Sequence, residues 1–267
     1  MGELAPSIAV YERTIGASID RIWENVLDWE HLPWLHRESF TSVRLETADP
    51  DGWRATVELP LAPGEQADID VRLDRARRRY VTATVGGVGE GSAIVTELAP
   101  LSDDATDIRV DFRVPGFAGD TALAMGSYYK ELYALLWDQD ETMMQRRQRL
   151  LDGGWPLRSN DVDDGQCLGR WQSLRQNLPL DVFWRGRRVT VVAADGGAVA
   201  FASECPHLGG PLDVRTIEDG CVTCPWHGYR FDVTTGRSAD GRRLRLAAVG
   251  RVRVDDASGL AYLELQR

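Results

Sequence analysis

The chain has 267 residues, 43% hydrophobic and 27% charged, which leaves room for two ordinary domains of soluble, globular composition. Its formal net charge is −10, and an acidic balance speaks against nucleic acid as a partner. No apolar run approaches a membrane span and no basic-then-apolar leader opens the chain, so no membrane partner and a cytoplasmic location are expected.

From the amino end, Ile8 to Ile15 alternates loosely and is rich in β-branched and aromatic residues, which predicts a strand. Ser18 ahead of Ile19-Asp20-Arg21-Ile22-Trp23-Glu24 supplies an N-cap and a first-turn acid, so a helix should start there, run to about residues 29–32 and break near Pro33. Three hairpins follow: 40–46 with 53–59, 67–73 with 80–85, and 93–99 with 108–114, each pair flanking a polar or Pro/Gly-containing turn. Their period-two alternation predicts an antiparallel sheet, and residues 120–151 then form one long helical pattern. Gly153, Gly154, Pro156 and the polar run from Ser159 to Gly165 read as a linker. Short strands are expected after it at 189–192, 198–202, 221–223, 229–232, 251–254 and 260–265. The fold class is therefore α+β: a sheet-and-long-helix domain at 1–152, a linker at 153–165 and a small all-β domain at 166–267.

Two constellations carry chemistry. His31 and His36 stand in Glu24-x3-Asp28-x2-His31-x4-His36. Positions five apart on a straight helix point about 140° away from each other, so only a break such as Pro33 offers lets both imidazoles reach one ion. Glu24, Asp28 and His31 fall on one stripe opposite the apolar arc of Ile19, Ile22, Val26 and Trp29, a pattern that a solvated polar face would share. A third ligand must come from far along the chain, and the long helix offers Asp138, Asp140 and Glu141. At about 100° per residue, Asp140 falls amid Tyr129, Leu132, Tyr133, Leu136 and Met143, while Asp138 points the opposite way. An acid on an apolar helix face is costly unless it binds a metal, an Arg or a cavity Tyr such as Tyr133. Two imidazoles and one carboxylate on an iron leave its other positions open for dioxygen and substrate.

The second constellation is Cys205-Pro206-His207 and, sixteen residues on, Cys224-Pro225-Trp226-His227. Two thiolates and two neutral imidazoles fit a [2Fe–2S] cluster, and they also fit a zinc ion, although Cys-x-His is unusual spacing for a zinc finger. Pro206, Gly209, Gly210, Pro211 and Gly228 suit rigid loops whose backbone approaches the sulfurs closely. The other two cysteines, Cys167 and Cys221, are expected to be reduced and buried.

The stretches CPHLGGPL and CPWHGYRFDVTTG resemble the Rieske domain of oxygenases and their ferredoxins, with Cys205, His207, Cys224 and His227 as the cluster ligands. Gly210 and Trp226 stand where respiratory Rieske proteins carry a disulfide, and Tyr229 and Phe231 where those proteins place a hydrogen-bonding Ser and Tyr. The resemblance therefore implies a potential nearer about −150 mV than about +300 mV. Residues 1–151 resemble the START-like, or SRPBCC, helix-grip fold, which includes the catalytic domain of Rieske oxygenases. That likeness implies a mononuclear Fe(II) on His31, His36 and Asp140, with Asp28 linking the first of these to the electron path. It also implies a homo-oligomer, a trimer, and an NAD(P)H-dependent reductase or ferredoxin as electron donor. In ordinary members the cluster domain comes first, whereas here it follows. The expected function is a non-haem iron oxygenase using O2 to hydroxylate or demethylate a small hydrophobic or aromatic substrate. Trp34, Trp53, Tyr129, Tyr133 and Met143 would then line its cavity or form plain core. The alternative is a Rieske ferredoxin-like electron carrier fused to a non-catalytic or cyclase-type ligand-binding domain.

Overall fold

A computed structural model describes residues 4–60, 64–155, 165–184, 187–194, 196–247 and 250–265. The backbone packs into two compact units, Met1–Gln148 and Arg149–Arg267. Among the described residues no helix is long and apolar enough to cross a membrane.

The first unit opens with β1 (Ser7–Ile15), α1 (Ile19–Leu27), a single 3-10 turn at Trp29–His31 and α2 (Leu32–Leu35). It continues with β2 (Ser42–Asp49), β3 (Gly52–Glu58), β4 (Gln66–Asp74), β5 (Arg79–Gly87), β6 (Ala93–Pro100) and β7 (Thr106–Arg113), and closes on α3 (Gly119–Asp152). The seven strands make one antiparallel sheet in the order β1-β7-β6-β5-β4-β3-β2, so the three hairpins add side by side and β1 returns to pair with the last strand. Alternation sends Trp53, Ala55, Val71, Leu73, Tyr80, Ile108, Val110 and Phe112 to one face, where they pack with Ile22 and Trp23 of α1 and Trp137 and Met144 of α3. This is the helix-grip arrangement, a sheet folded round one long helix.

The chain breaks its first helix earlier than Pro33. Ser18 caps α1 as expected, its side chain accepting from the Arg21 amide. The helix then ends at Leu27 because Asp28 leaves helical geometry at φ −87° and ψ 72°. Pro33 instead sits in the first turn of α2, where its missing N–H costs nothing and its fixed φ favours helix. The Trp53 indole donates to the Val26 carbonyl at 2.8 Å, tying the end of α1 to β3.

The second unit comprises β8 (Gln166–Arg170), α4 (Trp171–Leu174), β9 (Leu180–Trp184), β10 (Arg187–Ala194), β11 (Gly197–Ala202), β12 (Cys221–Thr223), β13 (Arg230–Asp232), β14 (Gly250–Val254) and β15 (Leu260–Leu265). Six of these strands form an antiparallel sheet in the order β8-β15-β14-β11-β10-β9, and β12 pairs with β13. Strand β9 was not expected from the sequence. Phe183 on it is exposed and Trp184 buried, so its alternation runs against the simple rule that apolar residues face inward. The linker expected at 153–165 lies mostly outside the described residues. Cys167 is exposed and Cys221 half-buried, so neither is the buried cysteine expected, although both are free thiols. Cys221 pairs with Asp232 at the end of a three-residue strand, too short to be covered on both faces.

Gly126 fixes how closely α3 lies against β1. A Cβ there would meet the Ala9 Cβ at 2.8 Å and the Ile8 carbonyl oxygen at 2.9 Å, and a backbone atom cannot step aside. Gly to Ala in a helix interior ordinarily gains about 1 kcal/mol. Here Gly126→Ala should instead lower stability, by about 1–3 kcal/mol as overpacking does. It should be read as a lower urea midpoint with an unchanged slope.

Candidate functional site

The early break brings the two histidines together. Asp28 closes α1, His31 ends the 3-10 turn and His36 closes α2, its amide bonded to the Leu32 carbonyl at 3.1 Å. The His36 carbonyl then accepts from the Ser39 and Phe40 amides at 2.7 and 2.9 Å, which locks the turn into β2. Two short helical turns thus replace the straight helix on which a spacing of five would separate the rings. Their centroids lie 5.0 Å apart, and the rings are 4% and 3% exposed.

Asp140 approaches from the inner side of α3. Its Oδ1 stands 3.0 Å from His36 Nε2 and 3.5 Å from His31 Nε2. One ligand atom each of His31, His36 and Asp140 lies within 4.8 Å of the others, the single such metal-ligand grouping among the described residues. Of the competing acids, Asp138 is 65% exposed and accepts from Arg13 at 2.6 Å. Glu141 pairs with Arg13 and accepts from the Gly16 amide, and Glu24 pairs with Arg21 and Arg147. None of these three faces the histidines. Asp28 does, with its Oδ2 3.6 Å from His31 Nδ1.

Two residues of this site escaped the sequence analysis. Asn25 Nδ2 donates to Asp140 Oδ1 at 3.1 Å, and Gln139 Oε1 meets His36 Nδ1 at 2.6 Å. Asn25 had a legible signal, since it is a polar residue on the same side of α1 as Ile22 and is buried to 6% exposure. Gln139 had none, because a helix neighbour of Asp140 should point about 100° away and only the tertiary position of His36 brings it into reach.

The electrostatics are those of an ion pair waiting in a low-polarity pocket. Burial works against a charged His36, but attraction to Asp140 and bonds to Asp140 and Gln139 win, and its pKa is raised. Burial likewise pushes Asp140 up, and His36, His31 and Asn25 together bring it below the usual carboxylate value. Burial keeps Tyr80 and Tyr133 neutral by raising both phenols. The triad lies in a cavity of about 120 Å³ whose apolar wall includes Trp53, Ile69, Val71 and Leu136. Trp53 and Tyr133 line it as expected; Trp34 and Met143 do not, Trp34 being 47% exposed and Met143 packed in the interior.

Two histidine nitrogens and a carboxylate oxygen converging in a cavity with an apolar wall are the donor set a ferrous iron takes with open positions. The second-unit residues fit a cluster equally well. The turn Cys205-Pro206-His207 is closed by Cys205 N to Gly210 O at 2.8 Å and Gly209 N to Cys205 O at 2.9 Å. The turn from Cys224 to Tyr229 is closed by Cys224 N to Tyr229 O and Gly228 N to Cys224 O, both at 2.9 Å. Gly209 and Gly228 adopt φ of 84° and 67°, which only glycine takes without strain. A Cβ on Gly210 would lie 2.7 Å from Cys224 Sγ, so that position has no room for a side chain. Both cysteines are fully buried and the His207 and His227 rings are 4.5 Å apart. A hydrogen bond between the thiols pushes Cys205 up, with burial adding to it, and holds Cys224 down at about 5. Bound to a cationic iron pair, both sulfurs would be thiolates, with the iron's charge offsetting the cost of burying them. Tyr229 stands where a cluster-bonding Ser was noted as replaced; its ring is 4.8 Å from that of His207, and Phe231 is fully buried.

Residues 164–249 match the Rieske [2Fe–2S] domain family, so this region is a Rieske domain and implies a [2Fe–2S] cluster. The cholesterol 7-desaturase of Caenorhabditis elegans is 29% identical over 77 residues, covering 28% of this chain and 18% of that protein. Aminopyrrolnitrin oxygenase PrnD of Pseudomonas fluorescens is 43% identical over 51 residues, covering 19% of this chain and 12% of that protein. The chain thus spans less than a fifth of the length of either relative. Among solved structures, a START superfamily protein from Mycobacterium smegmatis has 19% identity and a TM-score of 0.42, covering 51% of this chain and 97% of that one.

In metal-free protein the His36 ring should titrate above its ordinary 6.5. Asp140→Asn should take it below that value, because the attraction goes and the burial stays. The raised imidazole adds stability that is full below 6.5 and is lost as pH climbs through the folded value. The lowered carboxyl adds stability that is present above 3.8 and is lost as pH falls through its folded value. Ring-proton NMR titration and urea midpoints against pH, both in chelator, check the two statements.

Proposed function

We propose that the chain is a Rieske-type non-haem iron oxygenase, with a catalytic domain at 1–152, a linker at 153–165 and a cluster domain at 166–267. Cys205, His207, Cys224 and His227 would hold the [2Fe–2S] cluster, and His31, His36 and Asp140 a mononuclear ferrous iron. Bound there, the two groups supply one-electron delivery and O2 activation for hydroxylation or oxidative demethylation. The observation that carries the reading is the convergence of His31, His36 and Asp140 on one point of an apolar cavity, in a chain that also bears a Rieske domain.

The chain's own side chains divide the work. Gln139 holds His36 Nδ1 by a hydrogen bond and Asp28 stands 3.6 Å from His31 Nδ1, and both rings keep Nε2 turned to Asp140. Asn25 holds the Asp140 carboxylate from one side, which limits its rotation. The apolar wall excludes water and receives a hydrophobic or aromatic substrate. Asp28, beside His31 Nδ1, would be the residue that links His31 to the electron path, and an NAD(P)H-dependent reductase or a ferredoxin is the expected donor. The oxygenase and desaturase named among the relatives of the cluster region support the same reading.

One observation favours a second reading. Asp140 is hydrogen-bonded to both His36 and Asn25, as the acid of a buried structural ion pair would be. The protein would then be an electron carrier fused to a ligand-binding domain.

Iron and acid-labile sulfide per chain in anaerobically prepared protein separate the two. Three irons to two sulfides are expected, with His31→Ala/His36→Ala dropping to two irons while the cluster spectrum stays intact. Two irons in a fully cluster-loaded wild type, even after ferrous iron is added, would sink the oxygenase reading. Asp28→Asn should keep all three irons and lose about 10- to 100-fold in turnover.

A further inference from the structure

The cavity does not end at the triad. A second chamber of about 260 Å³ shares Phe40, Ile69, Thr82, Tyr133 and Leu136 with the first, so the two adjoin inside the first unit. Together they reach the lower end of the range for enclosed small-molecule sites, about 300–1,000 Å³. Part of the second chamber's wall is a strip of hydroxyl side chains. Thr82 and Thr84 lie two apart on β5 and so share a face with Tyr80, and Ser92, just before β6, joins them.

Ser92 is the informative member. Its amide donates to the Gly89 carbonyl at 3.0 Å and its carbonyl accepts from the Thr84 amide at 2.9 Å, so its backbone is satisfied. Its hydroxyl is buried and has no hydrogen-bond partner, and the residue is 6% exposed. A buried hydroxyl left unpaired is costly, and because Ser92 lines the chamber, a turn about its χ1 toward a bound polar group would give the hydroxyl a partner. The charges around the space also select. Among the described residues neither chamber is lined by Lys or Arg, the inner one carries Asp28 and Asp140, and the one carboxylate of the outer one is Glu38, which is exposed. An anionic group would enter with nothing to neutralise it.

We infer that the second chamber recognises the oxygen-bearing end of a neutral, elongated hydrophobic substrate. Ser92 hydrogen-bonds a hydroxyl or carbonyl on that substrate, and Thr84 lies beside it. The hydrocarbon end then lies against His31, His36 and Asp140. This rests on the reading of the cavity as the substrate site.

Equilibrium dialysis of the full chain with its cluster and no added ferrous iron tests it, using phenanthrene, phenanthren-2-ol and phenanthrene-2-carboxylate. The alcohol should bind about three- to tenfold more tightly than the hydrocarbon, the gain of one satisfied hydrogen bond. The carboxylate should bind more weakly than the alcohol. Ser92→Ala should erase the alcohol's advantage and leave phenanthrene binding unchanged, while Ser92→Thr keeps the advantage; phenanthrene binding itself reports that each variant is folded. Should Ser92→Ala not fold, Thr84→Val must narrow the alcohol's advantage instead. Equal binding of alcohol and hydrocarbon, tightest binding of the carboxylate, an advantage that survives Ser92→Ala, or no binding of any of the three would overturn the inference. The readout needs no turnover, so a missing third iron and a missing alcohol preference are separate failures.

Discussion

Asp140 sits on the inner side of α3 among Tyr133, Leu136 and Trp137, where burial by itself would push its carboxyl towards the neutral form. Its pKa is nonetheless lowered, since His36, His31 and Asn25 all converge on it. Much else in the first unit serves that convergence. The end of α1 at Asp28 turns the chain so that His31 and His36 face the same way. The Trp53 indole pins the last turn of α1 to the sheet, and Gly126 lets α3 come close enough to β1 for its inner face to be shared. A buried charge that needs several convergent partners is the kind of feature that marks a functional site, because ordinary core positions avoid it.

The cluster region follows the same physics with softer ligands. Two buried, hydrogen-bonded sulfurs are poorly matched as a free pair and well matched as thiolates to a cationic centre. Tight backbone turns at Gly209 and Gly228 hold each Cys-His pair, and the missing side chain at Gly210 lets one loop approach the sulfur of the other. Such loops are largely local structures, since each ligand pair lies within three residues and is closed by hydrogen bonds spanning five or fewer.

The cavity beside the triad follows from the packing of the first unit alone. Trp53, Ile69, Val71 and Leu136 make its apolar wall, and Asp28 and Asp140 lie with the two histidines at the triad. Thr82, Thr84 and Ser92 line the adjoining chamber, so hydroxyls there and a compensated ion pair at the triad set the two apart.

How far the sequence could be read depended on distance along the chain. Local patterns were enough for the seven strands of the first sheet, the N-cap at Ser18, the 34-residue α3 and the two Cys-x-His and Cys-x-x-His turns, because alternation, capping and loop chemistry act within a few residues. Helical periodicity also singled out Asp140 over Asp138, since it assigns faces. It could not say which faces meet. The partners of Asp140 lie more than a hundred residues away, at Asn25, His31 and His36, and Gln139 reaches His36 only because α2 ends where it does. The break at Asp28, the exposure of Trp34 and Cys167 and the unpaired Ser92 hydroxyl were likewise settled by packing, not by propensity. A sequence fixes what each segment can present; the energy of bringing distant segments together decides which groups share one pocket.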